Sequence, residues 1–187
     1  MDRLEISTWW VRHAPVQDGA GQIAGWSDPS ADLTDDGAIS AAAAKLPKDA
    51  RWYCSSLKRA QETATALRAF CATAGPLITS DLLREQNFGA WEGKRWDEID
   101  AGAFWQDPAN NSPPSGESFA VVVRRTQEFI NDLPPRASGA PAVVVTHAGP
   151  IRAAAGLASG QPVAAMLDWP VDFLSVTEVR VRDMFPQ

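Results

Sequence analysis

The sequence is poor in histidine, cysteine and net positive charge, and it has no long apolar run. Basic residues number 17 against 23 acidic ones, a formal net charge of −6. That balance offers no broad cationic surface, which argues against a nucleic-acid or anionic-membrane partner and leaves room for a small basic pocket. No apolar stretch approaches the roughly 18 residues that span a bilayer. The N-terminal MDRLEIST lacks the basic-then-apolar layout of a signal peptide, so a cytoplasmic location is expected. The two cysteines, Cys54 and Cys71, form no metal motif and read as reduced core thiols rather than a disulfide.

What is present alternates between two periodicities. LEISTWWV (4–11) reads as a buried strand, and a long loop rich in Gly, Pro, Asp and Ser follows over 14–32. Thr34 is a plausible N-cap for a helix running to about Leu46, with Asp35 and Asp36 in its first turn. RWYCS (51–55) reads as a strand, 57–75 as a long helix closed by Gly75 and Pro76, and PLITSD as a short strand. Residues 86–116 mix tryptophans with Gly, Pro and Asn, giving a cap-like insert with short helical pieces. Ser115 or Ser118 then caps a helix over FAVVVRRTQEFINDL, ending before Pro134 and Pro135. APAVVVTH (140–147) is the clearest strand; GPIRAAAGLASG follows as a helix and FLSVTEVRV as a final strand, an edge or a homodimer seam. The expected fold class is α/β, one domain over 1–187, with a mostly parallel sheet and helices on both faces.

The chain has only two histidines, and each ends an apolar strand: His13 in WWVRH and His147 in VVVTH. Open α/β sheets bind ligands outside the carboxyl ends of their strands, where both histidines are therefore aimed. A catalytic zinc needs about three protein ligands, and no His-rich or Cys-rich cluster supplies the third. Arg12 beside His13 would oppose a cation and suits a phosphate, to which a guanidinium gives bidentate, charge-assisted hydrogen bonds. Arg59, in SSLKRAQET, lies where the second strand turns into a helix, again at that sheet edge.

VRHAP, LTDDG, SSLKRAQET, LLREQNFGAWEG and VVVTHAGPIR, in that order, resemble the histidine phosphatase superfamily, the branch that includes phosphoglycerate mutases. The resemblance implies a three-layer α/β/α core, no metal or organic cofactor, and a small phosphate ester as partner. Position by position it implies that His13 is the nucleophile that becomes phosphorylated, that Arg12 and Arg59 grip the phosphoryl oxygens, and that His147, protonated, stabilises the same charge. Glu85 matches the family's proton donor. Four departures stand out: Ala14 replaces a common glycine, Pro15 a common acid, Gly19 a frequent asparagine, and Ala148-Gly149 the Gly-Asn of mutases.

Hydrolysis is favoured over mutase-type transfer, because the segment from Glu85 to Gly116 is short for a mutase lid and carries only Lys94 and Arg95 as basic residues. NFGAWEG with a Trp-bearing insert looks most like the alpha-ribazole phosphatases of the cobalamin pathway, which act on alpha-ribazole 5′-phosphate. Trp91, Trp96 and Trp105 would then stack on a benzimidazole ring or simply pack the cap. A catalytically silent phosphate-binding module is the rival from another class.

Overall fold

Trp9, Trp10 and Val11 are β-formers with large apolar areas, and an alternating pleat sends neighbours to opposite faces of a sheet. In a computed structural model, which describes residues 5–17, 19, 21–71, 75–133 and 141–182, they lie in β1 (Glu5–Arg12). Around it run α1 (Asp36–Ala43), β2 (Arg51–Ser55), α2 (Lys58–Cys71), β3 (Leu77–Ser80), α3 (Phe119–Asn131), β4 (Ala142–Thr146), α4 (Ala148–Ala158), α5 (Val163–Met166) and β5 (Val176–Arg182). The sheet order is β3-β2-β4-β1-β5, parallel except for β5, which pairs antiparallel with β1.

The pleat divides the core in two. Trp10, Tyr53 and Val144 pack with Phe129, Ile130, Ile151 and Ala154 of α3 and α4. Val11, Trp52, Cys54, Val143 and Val145 pack with Ile39, Ala42, Ala64 and Leu67 of α1 and α2. Helices therefore cover both faces, giving the three layers expected. Trp10 and Trp52 are essentially fully buried. Each ring of that size removes roughly 150–250 Å² from water, on the order of 4–6 kcal/mol of transfer free energy.

Several boundaries differ from the sequence reading. Asp35, not Thr34, caps α1: its carboxylate accepts the Ala38 N–H at 2.8 Å, while the Thr34 hydroxyl donates to Asp32 at 2.6 Å. Ser118 occupies the α3 N-cap without a side-chain bond, and Ser115 sits in a turn at φ 60°. The last strand starts at Val176 rather than Phe173, because Leu174 adopts φ 56° and turns the chain just before it. The short helix α5 was not anticipated. Residues 72–74, Pro134, Pro135 and Ala140 lie outside the described residues. The insert over 86–116 contains three short 3₁₀ turns, and Trp91 and Phe104 pack there with Ile23 and Ala101 as a satellite cluster. Cys54 and Cys71 are free thiols. No helix among the described residues is long and apolar enough to cross a membrane.

Candidate active site

The register of two neighbouring strands brings the histidines together. Arg12 of β1 is level with Thr146 of β4, so His13 and His147 leave the sheet side by side, and His13 N–H donates to the Thr146 carbonyl at 2.9 Å. The ring centroids stand 5.0 Å apart. Arg59, one residue into α2, arrives from the end of β2. A cavity of about 370 Å³ is lined by Arg12, His13, Arg59 and Glu85 at its polar end and by Ile23, Phe88, Trp96 and Phe173. Four of the five residues singled out from the sequence thus line one cavity, and His147 is buried against His13.

The hydrogen bonds around His13 define its tautomer. Nδ1 lies 2.6 Å from the Ala14 carbonyl, which can only accept, so Nδ1 carries the proton. Nε2 then presents a lone pair, towards which Arg59 Nε–H donates at 3.3 Å. Burial, then the Arg59 charge, pushes the imidazole down to about 3; the Ala14 hydrogen bond opposes this and Arg12 adds to it. An unperturbed imidazole, titrating near 6.5, would be neutral only part of the time near neutral pH. The structure holds His13 neutral throughout the physiological range.

His147 departs from the charged state expected. Its Nε2 lies 2.8 Å from Ser55 Oγ, which also accepts the Leu57 N–H at 3.2 Å. A hydroxyl both donates and accepts, so this bond fits either neutral tautomer of His147. Burial, then His13, Arg59, Arg125 and Arg12, hold the imidazole well below 6.5, so the ring is a neutral donor rather than an imidazolium. Among the described residues, Nδ1 of His147 and Nε of Arg12 are buried without a hydrogen-bond partner.

Both arginines are held from behind. Arg12 donates to the Val171 carbonyl at 2.6 Å, and its guanidinium carbon lies 3.8 Å from the Phe173 ring centroid. The same ring is 5.5 Å from that of His13. Arg59, 1% exposed, donates to the Ser27 and Gly25 carbonyls, each at 2.7 Å. Thr63, one turn along α2, donates to the Arg59 carbonyl at 2.7 Å and accepts the Ala14 N–H at 3.0 Å.

Glu85 is seated by backbone donors. Its Oε1 accepts the Gly149 N–H at 3.0 Å and the Gln86 N–H at 2.9 Å. Arg84, its sequence neighbour, pairs instead with Asp81. Gly149 is there for room: a Cβ would stand 2.4 Å from Glu85 Oε1. The half-buried ion pair of Arg125 and Glu117, at 2.9 Å, steadies the segment, since Arg125 also donates to the Glu85 carbonyl at 2.9 Å.

Of the four departures, Ala14 is outside the left-handed region, so it needs no glycine. Pro15 and Gly19 line the cavity. Only Trp96 of the three tryptophans lines it; Trp91 is buried among Ile23, Ala101 and Phe104, and Trp105 is 57% exposed. Ser55, Thr63, Phe173 and Arg125 were not singled out from the sequence. Ser55 and Thr63 are the first and last residues of the SSLKRAQET stretch, whereas nothing local marks Phe173. Among the described residues no group of three or more His, Cys, Asp or Glu is placed to hold a metal ion.

Known proteins resemble this chain in sequence and in fold. The chain is 31% identical over 176 residues to a glucosyl-3-phosphoglycerate phosphatase of Mycolicibacterium vanbaalenii, covering 86% of this chain and 76% of that protein. A bifunctional protein of Mycobacterium tuberculosis is 35% identical over 132 residues, 66% of this chain but only 35% of that protein's length. The crystal structure of a putative alpha-ribazole-5′-P phosphatase from Escherichia coli superposes with a TM-score of 0.79 at 23% identity, over 96% of this chain and 92% of that one. That likeness concerns the fold. The model of the histidine phosphatase superfamily, branch 1, matches residues 8–187, and the chain belongs to that family.

Proposed function

We propose that the protein hydrolyses phosphate monoesters without a metal, through a phosphohistidine formed on His13. One observation carries the reading: a buried, neutral imidazole presents its Nε2 lone pair into a cavity whose polar end holds two arginines and a carboxylate. Nε2 attacks phosphorus in line as the ester P–O bond breaks, and the phosphoryl group passes to the ring. Arg12 and Arg59 supply fixed donors for the equatorial oxygens, joined by His147 in the tautomer whose Nδ1 carries the ring proton. With Oε1 of Glu85 tied to two N–H groups, Oε2 is the oxygen left to give the leaving alkoxide its proton and then take one from the hydrolytic water. Water attack on phosphohistidine releases inorganic phosphate and restores His13.

The alcohol half of the substrate meets Ile23, Phe88, Trp96 and Phe173. Among the described lining residues the only cations are Arg12 and Arg59, both committed to the phosphate end. That lining favours an ester with an aromatic or apolar alcohol, of which alpha-ribazole 5′-phosphate is the specific candidate, over the diacids a mutase handles. The test is turnover of p-nitrophenyl phosphate with chelator present, followed by a panel of alpha-ribazole 5′-phosphate, glucosyl-3-phosphoglycerate, phosphoserine and 3-phosphoglycerate. Chelator-insensitive hydrolysis with the highest kcat/KM on the aromatic ester is expected. No turnover by folded protein would favour a silent binding module, robust 2- and 3-phosphoglycerate interconversion a mutase, and preference for a carboxylate-bearing ester would overturn the substrate class.

A further inference from the structure

Arg59 does not reach the phosphate end unaided. Its Nη1 and Nη2 are fixed by the carbonyls of Ser27 and Gly25, so the direction of its Nε–H towards His13 is set by the loop that carries them. That loop is held on its other side by one carboxylate. Glu92 Oε1 accepts the Trp26 N–H at 2.8 Å and Oε2 the Ser27 N–H at 2.7 Å, while Oε1 also accepts the Phe88 N–H at 3.1 Å. The fit is close: Gly25 adopts φ +49°, and a Cβ there would stand 2.2 Å from Glu92 Oε1. The Trp26 indole, on the same loop, donates to the Glu85 carbonyl at 2.7 Å.

We propose that Glu92 is a positioning residue of the phosphate grip: its carboxylate clamps the 25–27 loop so that the loop's carbonyls aim Arg59 at the phosphoryl group on His13. Three charge-assisted acceptor bonds make a stiff clamp, since bonds to an ionised group are about twice as strong as neutral ones. The Glu92 charge also favours protonated Arg59, after the larger effects of Glu85 and Asp28. Among the described residues, Arg59 Nη1 and Nη2 bond to the two carbonyls that Glu92 locates, so the clamp reaches Arg59 through the loop backbone. The assignment rests on the phosphohistidine reading.

A double-mutant cycle between Glu92→Ala and Arg59→Ala tests it. The substrate is p-nitrophenyl phosphate, whose phenolate leaves without a proton, so an effect routed through Glu85 as acid drops out, and one routed through Glu85 as base to the hydrolytic water appears equally in both Arg59 backgrounds. Glu92→Ala should lower kcat by on the order of 10–100-fold with Arg59 present, as expected for a misplaced donor. With Arg59 already alanine it should cost no more than about 2-fold. Glu92→Asp, which keeps both acceptor oxygens, should recover part of the loss, and KM should move less than kcat. Equal losses in both backgrounds, or an unchanged kcat in Glu92→Ala, would overturn the proposal. Thermal melts check each variant; if Glu92→Ala does not fold, the isosteric Glu92→Gln replaces it in the cycle. Binding of inorganic phosphate by calorimetry runs beside the kinetics, with the same non-additive weakening expected. A wild type that binds phosphate but turns nothing over would sink the phosphohistidine reading, and the phosphate cycle would still decide the role of Glu92.

Discussion

Acidification from pH 7 to pH 5 perturbs this fold at its two buried histidines, and the size of the effect follows from the site. An unfolded histidine titrates near 6.5, whereas His13 in the fold titrates at about 3. Between those values the unfolded chain binds a proton that the folded one refuses. The neutral ring therefore contributes stability that is fully present above pH 6.5 and is lost as pH falls towards 3. One such histidine changes the unfolding free energy by about 1.4 kcal/mol per pH unit once pH is below 6.5, or about 2 kcal/mol between pH 7 and pH 5. Urea unfolding of the wild type and of His13→Asn at both pH values isolates the His13 share, because the carboxylates and His147 contribute to both proteins. The wild type should lose about 2 kcal/mol more than the variant. Parallel losses, or an NMR titration placing His13 near 6.5, would refute the reasoning and with it the claim that the nucleophile is held neutral by burial and Arg59.

Gly149→Ala should place a methyl against Glu85 Oε1 and displace the carboxylate. Steady-state kinetics should show kcat/KM on alkyl phosphates falling by on the order of 100-fold, with a much smaller effect on kcat/KM for p-nitrophenyl phosphate, whose phosphoryl transfer to His13 needs no acid. Equal effects on both would place the damage elsewhere. Trp96→Ala should raise KM for aryl phosphates several-fold, about 1 kcal/mol of lost ring contact, while Trp105→Ala leaves it unchanged; the two variants assayed side by side separate cavity lining from cap surface. Phe173→Ala removes the ring from Arg12 and should raise KM by about 3- to 10-fold, a cation–π contribution of roughly 0.5–1.5 kcal/mol.

The two histidines and Arg59 were legible because their positions follow from periodicity alone: an apolar run that stops at a strand end delivers the next residue to the sheet edge. The layering was legible for the same reason, from alternation in WWV and VVV. Protonation was not. Whether His13 and His147 are charged depends first on burial and then on gathered charges such as Arg59, which lies far from both in sequence. Phe173 was assigned to the final strand, since FLSVTEVRV reads as continuous β-former; the turn at Leu174 arises from a backbone bond between Leu174 N–H and the Arg12 carbonyl at 3.1 Å, a contact between the two ends of the chain. The tryptophans of the insert could not be told apart either, because facing a cavity and packing a cap demand the same ring. Glu92 sat in plain view in NFGAWEG, yet two of its three backbone partners, Trp26 and Ser27, lie on a segment some 65 residues away.

The most direct test of the central claim is the chemical identity of the phosphoenzyme. Wild-type protein mixed with a phosphate ester, quenched in base within milliseconds and digested for mass spectrometry should carry one phosphoryl group on His13, stable to alkali and lost in acid, and His13→Ala should carry none. A phosphoryl group on any other residue, or turnover with no trapped intermediate and undiminished by His13→Ala, would contradict it.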